Sequence, residues 1–391
     1  MAQHAVRTGD PMTATTQDQP LRIVHAVRAP VGGIIRHILD LANGQADRGH
    51  HVALITDSLT GGDRAVAALD EIAPKMKLGV YRLPIRREPS ITDLFVWGRF
   101  VRLIATLRPD VLHGHGAKAG IFMRVVPRPA GSIRVYTPHG GSLHYPTTTF
   151  KGQLYSRLER LSMNRTELFL FESEFARSTY ERMIGKPEGL VRCVFNGVTA
   201  GEFDPVSLAA DATDVCYVGE FRHIKGADLL IDAIARLRAE GRSATLTLGG
   251  DGEETAALKA QVARLDLGAA VRFIGHVKAR HGFAQGRLLV VPSRGDSMPY
   301  VVIEAAAAGV PMIAANVGGI PEIFGPDHRD ALFAPSDPAA MAKAIATALD
   351  DLNAARDRAR RLRERIFLHF SQKAMVEGVL AGYREALAQQ R

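Results

Sequence analysis

Cysteine is nearly absent: Cys193 and Cys216 are the only two in 391 residues. Two thiols cannot staple a chain of this length, and they fit a reducing compartment. No apolar run approaches the roughly 20 residues of a membrane-spanning helix, and the polar opening Met1 to Pro20 lacks the apolar core of a secretion signal. The protein is therefore expected in the cytoplasm, with a disordered tail over residues 1–20. Compositional extremes are missing too. With 46% hydrophobic and 23% charged residues, extended disorder, collagenous repeats and a disulfide-held miniprotein are excluded. The length excludes one small domain and suits two or three.

What the chain does have is an uneven charge. The net value is +8, and Lys plus Arg outnumber Asp plus Glu by 25 to 17 over residues 1–190 but stand at 24 each over residues 191–391. A basic half suits nucleic acid, an anionic membrane or a phosphorylated ligand, and charge alone does not choose. The Arg-rich stretch Arg356 to Arg365 reads as a solvated helix face continuing to the C-terminus, so no nucleic-acid partner is expected.

Strand and helix patterns alternate along both halves. Leu21 to Val27 predicts a buried strand, followed by a turn and a helix whose Ile34, Ile38, Leu41 and Ala42 share one face, then a strand at Val52 to Thr56. Further strands are predicted at Asp110 to Gly114 and Ile133 to Thr137, with a helix over Arg99 to Leu107. The second set has strands at Val215 to Val218, Ala244 to Leu248, Val271 to Ile274, Leu288 to Val291 and Pro311 to Ala314. Alternation of this kind implies two parallel-sheet α/β domains facing across a cleft, which bind ligands beyond the carboxyl ends of their strands.

Three motifs carry chemistry. Gly32-Gly33 opens a helix, where unpaired amides and a close backbone suit a phosphate; a tight turn alone is the other reading. The loop Gly219 to Gly226 presents Arg222, His223 and Lys225, cations suited to a diphosphate, or an exposed charged turn. The most specific is the run from Pro292 to Pro311, in which Asp296 precedes a helix that Pro299 can begin and Glu304 sits on that helix, seven residues intervening. Five helical residues rise about 7 to 8 Å, comparable with a diphosphate joining two sugar rings, so one carboxylate can grip each end. A Glu among Val, Ile and Ala is costly to bury without a partner such as vicinal hydroxyls. His113 and His115 have metal-ligand spacing, but no third ligand is evident in sequence and loop lining is the plainer reading.

These residues resemble the retaining glycosyltransferases of the family 4 type (glycosyl transferases group 1), which have the GT-B architecture of two Rossmann-like domains. The resemblance rests on Val31-Gly32-Gly33-Ile34-Ile35-Arg36-His37, Thr137-Pro138-His139-Gly140, Ser173-Glu174-Phe175-Ala176, Asn196-Gly197-Val198, Tyr217-Val218-Gly219-Glu220-Phe221 through Lys225-Gly226, Gly249-Gly250-Asp251-Gly252, and Gly318-Gly319-Ile320-Pro321-Glu322, besides the Asp296 to Glu304 string. It implies an acceptor-side domain over 21–200, a linker over 201–213, a nucleotide-sugar domain over 214–365, and a C-terminal helix over 366–391 packing back on the first domain.

By the same resemblance, Gly32 and Gly33 lie beside the donor diphosphate and His139 points at the donor sugar. Lys225 neutralises the leaving diphosphate, Asp296 holds sugar hydroxyls and Glu304 holds the nucleotide ribose. Met298, Tyr300 and Val301 surround the sugar and phosphates through backbone groups, while the base rests near His276 and Val277. His139, Lys225 and Asp296 are thus the expected catalytic residues. Three departures stand out: Glu220 replaces a common Arg, with Arg222 as a substitute cation; Asp296 replaces a Glu; and Pro299 replaces a Gly and removes an N–H. No Asp-any-Asp triplet, the manganese signature of the other main transferase architecture, occurs, so neither metal nor cofactor is expected and the nucleotide sugar is a substrate.

Two rivals remain at this stage. Gly114, Gly116 and Gly120 follow a strand as in a nicotinamide-dependent oxidoreductase, though the spacing is one residue too long and no acidic residue stands about twenty positions on. An inactive nucleotide-sugar-binding scaffold is the other. The helix from Phe150 to Arg165 holds Phe150, Leu154, Leu158 and Leu161 at one spacing and Lys151, Arg157, Arg160 and Arg165 elsewhere. It reads as a helix packed on its own domain, or as one lying on an anionic membrane. The membrane reading makes the acceptor a saccharide linked to lipid, and the protein a peripheral enzyme on the inner face of the cytoplasmic membrane in bacterial surface-polysaccharide assembly.

Overall fold

The computed structural model describes residues 19–88, 90–140 and 149–390, with the side chains of Phe150 and Lys151 outside that set. The expected tail, save its last two residues, and the apolar and basic roles given to Phe150 and Lys151 therefore lie outside the described residues.

Two parallel sheets organise the chain. The first has strands β1 (Arg22–Val27), β2 (His51–Asp57), β3 (Gly79–Leu83), β4 (Val111–His115), β5 (Ile133–Thr137), β6 (Leu168–Phe171) and β7 (Leu190–Cys193) in the order β3-β2-β1-β4-β5-β6-β7. The second has β8 (Thr213–Val218), β9 (Leu246–Gly249), β10 (Val271–Gly275), β11 (Gly286–Val291), β12 (Met312–Ala315) and β13 (Leu332–Phe333) in the order β10-β9-β8-β11-β12-β13. Every pairing is parallel. Helices cover both faces of such sheets, so the central strands are continuous apolar runs buried on both sides, as at Val52 to Ile55 and Leu288 to Val291. This is the GT-B arrangement expected from the sequence.

Register explains a feature that hydrophobicity does not. His25 on β1 pairs with His113 on β4, and His115 pairs with Thr137 on β5. Side chains alternate across a strand, so His25, His113 and His115 project from one face of the sheet. The helix Gly32–Asp47 covers them with a buried face that includes His37 and Gln45 as well as Ile38, Leu41 and Ala42.

The C-terminal region departs from the expected continuous helix. Helix Leu352–His369 stops at Phe370, and Ser371 starts a second helix, Gln372–Ala388, by accepting a hydrogen bond from the Ala374 amide at 3.2 Å. The break is needed for the return crossing. Val198 N donates to Phe370 O at 2.9 Å and Gln372 N donates to Val198 O at 2.8 Å, while Phe195 stacks on Phe370. A continuous helix would consume those backbone groups. Beyond the crossing, Met375, Val376, Val379, Leu380 and Tyr383 pack with Ile23, Val111, Val135 and Leu168 of the first sheet and with Leu41 of the helix Gly32–Asp47. The Arg-rich helix is only partly solvated: Arg363 Nε donates to Ala307 O at 2.9 Å and Arg365 Nε to Ile323 O at 3.1 Å, near the ends of two helices where carbonyls lack partners.

Helix Phe150–Met163 is inverted relative to its apolar spacing. Gly152, Ser156, Glu159 and Ser162 face inward, whereas Leu154 and Leu161 are exposed. The cause is a fully buried ion pair: Arg124 Nη2 lies 2.7 Å from Glu159 Oε2, the Tyr136 hydroxyl donates to Glu159 Oε1 at 2.7 Å, and the Arg124 guanidinium sits 3.8 Å over the Tyr136 ring. A buried charge must keep its partner, and that requirement outranks burial of two leucines.

Candidate active site

The second lobe builds one side of the cleft from three loops. Gly226 has φ +72°, and a Cβ there would stand 2.1 Å from the Pro292 carbonyl oxygen, so the turn after β8 closes only with glycine. That turn delivers Lys225, whose Nζ lies 2.7 Å from Asp296 Oδ2; Ser293 Oγ also donates to Oδ2, at 3.2 Å. Gly318 and Gly319 form the floor under this carboxylate, since a Cβ on either would come within 1.7 Å of the Asp296 or Ser297 carbonyl oxygen. Arg294 ties the same loop to Asp228 by two hydrogen bonds of 2.7 and 2.5 Å.

Other expected donor residues are more loosely disposed. Arg222 is half exposed between Glu220 at 3.7 Å and Glu253 at 3.9 Å, and these contacts do not bring it to the Lys225–Asp296 pair. His276 is exposed just beyond β10, and Val277 packs against Gly249. Met298 is buried with its carbonyl accepting from Asn196 Nδ2 at 3.0 Å, which leaves its amide as the group available to a ligand.

Helix Tyr300–Ala307 begins after Pro299, and the amides of Tyr300 and Val301 in its first turn have no intrahelical acceptor. Glu304 lies on this helix and reaches the opposite lobe: Arg36 Nη1 is 3.1 Å from Glu304 Oε1. Arg36 also holds Asp40 at 2.5 Å and pairs with Glu202, and its guanidinium lies 5.5 Å from the Tyr300 ring. Gly33 completes the contact, because a Cβ there would meet Tyr300 Cδ2 at 3.6 Å. Burial pushes Glu304 up to about 7 and Asp40 up to about 6 despite the adjacent guanidinium. The Tyr300 hydroxyl is buried without a hydrogen-bond partner among the described residues.

At the carboxyl end of the first sheet, His139 stands at φ +49°, a left-handed conformation uncommon outside glycine and a sign of local strain at a site. Its Nε2 is 3.0 Å from His115 Nδ1; His115 Nε2 is 2.9 Å from His25 Nδ1; and His25 Nε2 is 2.8 Å from Gln45 Oε1. His37 Nδ1 lies 2.9 Å from Asn196 Oδ1, and His113 bonds Tyr383 at 2.6 Å and Thr137 at 2.9 Å. Burial keeps all five rings neutral, holding His25 near about 4 and His139 near about 3 and the others well below the usual histidine range.

The lobes also meet at Glu322, whose carboxylate oxygens accept from the amides of Glu174 and Phe175 at 2.8 Å each, and at Ser297, which donates to Glu172 at 2.9 Å. Glu322 thus caps the helix that starts at Glu174, a motif distant in sequence. Arg36, His37, Asn196 and Glu202 were not singled out by sequence reasoning. Three of them sit inside quoted motifs, which was the available signal, but Glu202 reads as linker and nothing local marks it. The dinucleotide reading of Gly114 and Gly120 fails on packing: a Cβ on Gly114 would strike Gly120 Cα at 2.7 Å, and one on Gly120 would strike the Tyr136 ring at 2.3 Å. Those glycines let a helix approach β4 and are not aimed at a pyrophosphate.

The cleft therefore joins a lysine, free first-turn amides, two mostly buried carboxylates and a neutral histidine, a set that suits a ligand anionic in the middle and hydroxylated at its ends. Comparison with known proteins identifies the family. Residues 32–197 match the family described as glycosyl transferase 4-like domain, and residues 212–351 match glycosyl transferases group 1. Glycogen synthase of Mycobacterium tuberculosis is 25% identical over 385 residues, covering 91% of this chain and 92% of that protein. The gpi3 subunit of phosphatidylinositol N-acetylglucosaminyltransferase from Schizosaccharomyces pombe is 25% identical over 78% of this chain and 67% of its own length. Among solved structures, sucrose-phosphate synthase from Thermosynechococcus elongatus superposes with a TM-score of 0.77 at 23% identity, covering 94% and 99% of the two chains. HepE of Anabaena in complex with UDP-glucose gives 0.74 at 20% identity, with 94% and 99% covered. The chain is a glycosyltransferase and belongs to the group 1 glycosyltransferases of the family 4 type.

Proposed function

We propose that the enzyme moves a sugar, with retention of anomeric configuration, from a UDP- or GDP-sugar to a saccharide acceptor carried on lipid, in bacterial surface-polysaccharide synthesis on the inner face of the cytoplasmic membrane. The observation that carries this reading is the placement of Lys225 on Asp296 at 2.7 Å, beside a helix start whose Glu304 spans to Arg36. Loss of the diphosphate builds negative charge that Lys225, the Gly32-Gly33 turn and the Tyr300 and Val301 amides are suited to stabilise. Asp296 takes hydroxyls of the donor sugar, His139 approaches the sugar from the first lobe, and Glu304 takes the ribose. The leaving phosphate oxygen accepts the acceptor proton as the new bond forms on the face it vacates, so no enzymic base is required. The structural neighbour HepE binds UDP and UDP-glucose, which supports a nucleotide-sugar donor.

An acceptor pocket is supported by a cavity of about 570 Å³ beyond β1, β2 and β3, adjoining Val31 and lined by Arg28, Arg86, Arg87 and Leu59. Arginines suit a phosphate-bearing acceptor. No helix among the described residues is long and apolar enough to cross a membrane. The exposed Leu154 and Leu161, with Ile91, Leu94 and Phe95, suit shallow contact with a bilayer.

Thermal shift against a panel of nucleotide sugars tests the donor: one UDP- or GDP-sugar is expected to raise Tm, and a panel without effect, together with no donor hydrolysis, would overturn the reading. Flotation with anionic liposomes tests the membrane contact. Binding at low salt that falls in Leu154→Ser/Leu161→Ser supports it, and no binding at low salt counts against it.

A further inference from the structure

The sequence offers His113 and His115 without a third ligand; the fold brings His25 to that pair and sets His37 and His139 beside His115. One ring nitrogen from each of His37, His115 and His139 lies within 4.8 Å of the other two, and the same holds for His25, His113 and His115. In the second set all three rings are buried, and His25 and His113 each have both nitrogens engaged by neighbours. The first set differs. His139 is partly exposed, which gives an ion a way in.

The proton positions follow from the hydrogen bonds. Asn196 Nδ2 donates to Met298 O, so its Oδ1 faces His37 Nδ1, which must carry a proton; His37 Nε2 keeps a lone pair. With Gln45 Oε1 accepting from His25 Nε2–H, His25 Nδ1 accepts from His115 Nε2–H, and His115 Nδ1 also keeps a lone pair. A single proton, on His139 Nε2, bridges the rings. Shifting it to His139 Nδ1 leaves a lone pair on each of three neutral rings with no net loss of a proton.

We propose that His37, His115 and His139 form a binding site for a divalent transition-metal ion of the zinc type, with water as the fourth ligand. Tetrahedral zinc with bonds of 2.0–2.1 Å sets its nitrogens about 3.3 Å apart, so the 3.0 Å between His115 Nδ1 and His139 Nε2 needs to widen slightly and the His37 nitrogen, within 4.8 Å of both, needs to close toward them. The outer contacts are those of a metal site: His37 donates its other N–H to Asn196, and His115 donates its own to His25, which is held by Gln45. Where His139 also serves the donor sugar, ion and donor compete; that consequence alone rests on the function proposed above.

The test uses tag-free full-length protein, stripped with a chelator and titrated with Co²⁺ by visible absorption and with Zn²⁺ by calorimetry. One equivalent is expected, with tetrahedral cobalt bands. Binding should weaken about 10–100-fold in Asn196→Ser, which removes the outer acceptor and spares all three rings, and remain unchanged in the surface variant His281→Ala. X-ray absorption on the zinc-loaded wild type needs no variant and should give three imidazole nitrogens at about 2.0 Å. The absence of one-equivalent saturation, a zinc spectrum without three imidazoles, or loss of binding in His281→Ala instead of Asn196→Ser would each overturn the proposal. Donor binding by the metal-free protein, measured in parallel, reports on the transferase reading separately.

Discussion

Arg36 and Glu304 face each other at 3.1 Å from opposite lobes, and Arg36 is the shared counter-charge for Glu304, Glu202 and Asp40. The carboxylate expected to meet a ribose is thus held by the helix that begins at the glycine turn. On the function proposed above, donor entry and the arrangement of the lobes are coupled at this residue.

Arg36→Met should lower Tm by several degrees at pH 8 and by less at pH 5. Three carboxylates lose their cation, and a buried charge without a partner is strongly destabilising. Burial has already raised Glu304 to about 7 and Asp40 to about 6, so at pH 5 both take up protons and the repulsion fades. Thermal melts across that range check it, and an equal loss at both pH values would refute the cluster.

Glu304→Gln gives a linkage with the opposite benefit. Burial raises this acid from 4.5 to about 7 in the folded protein, so folding favours its protonated form. The wild type therefore loses stability as pH rises from about 4.5 to 7, by up to about 3 kcal/mol. Glutamine has no proton to lose. The Tm difference between variant and wild type should move in favour of glutamine between pH 5 and 8 and stay flat above that.

Lys225→Ala should cut transfer about 10²–10³-fold while the fold persists, because one preorganised cation is removed from the growing leaving-group charge. Circular dichroism reports the fold and a coupled assay for nucleotide-diphosphate release reports turnover. A variant within twofold of wild type would remove Lys225 from the chemistry.

Arg124→Met should destabilise by about 3–5 kcal/mol, since Glu159 would be left charged and unpaired at zero exposure. Arg124→Met/Glu159→Met should recover much of that loss, because neither charge then remains buried. Denaturant titration of the two variants distinguishes a structural ion pair from two independent residues.

Much of the architecture was legible from local patterns. Strands such as β2 and β11 carry uninterrupted apolar runs because both faces are covered, and that signal is local. β6 is an equally apolar run of four residues, too short to tell from a helix segment, while β7 is a short edge strand with an exposed arginine and β13 has only two residues. The helix Phe150–Met163 departs from the reading that packs its leucines on its own domain, because hydrophobic spacing assigns the buried face unless a buried charge outranks it. Glu159 does so through Arg124, thirty-five residues earlier.

The sequence by itself determined the alternation of strand and helix, the glycine turns and the carboxylate pair, since each depends on residues within one turn or one loop. Tertiary structure alone decided that Arg36 and Glu202 join Glu304, that Glu322 caps a helix of the other lobe, and that five histidines from β1, β4, one helix and one loop share a single network. Those contacts are between groups brought together by parallel register and by the double crossing of the chain, and neither is encoded at any one position.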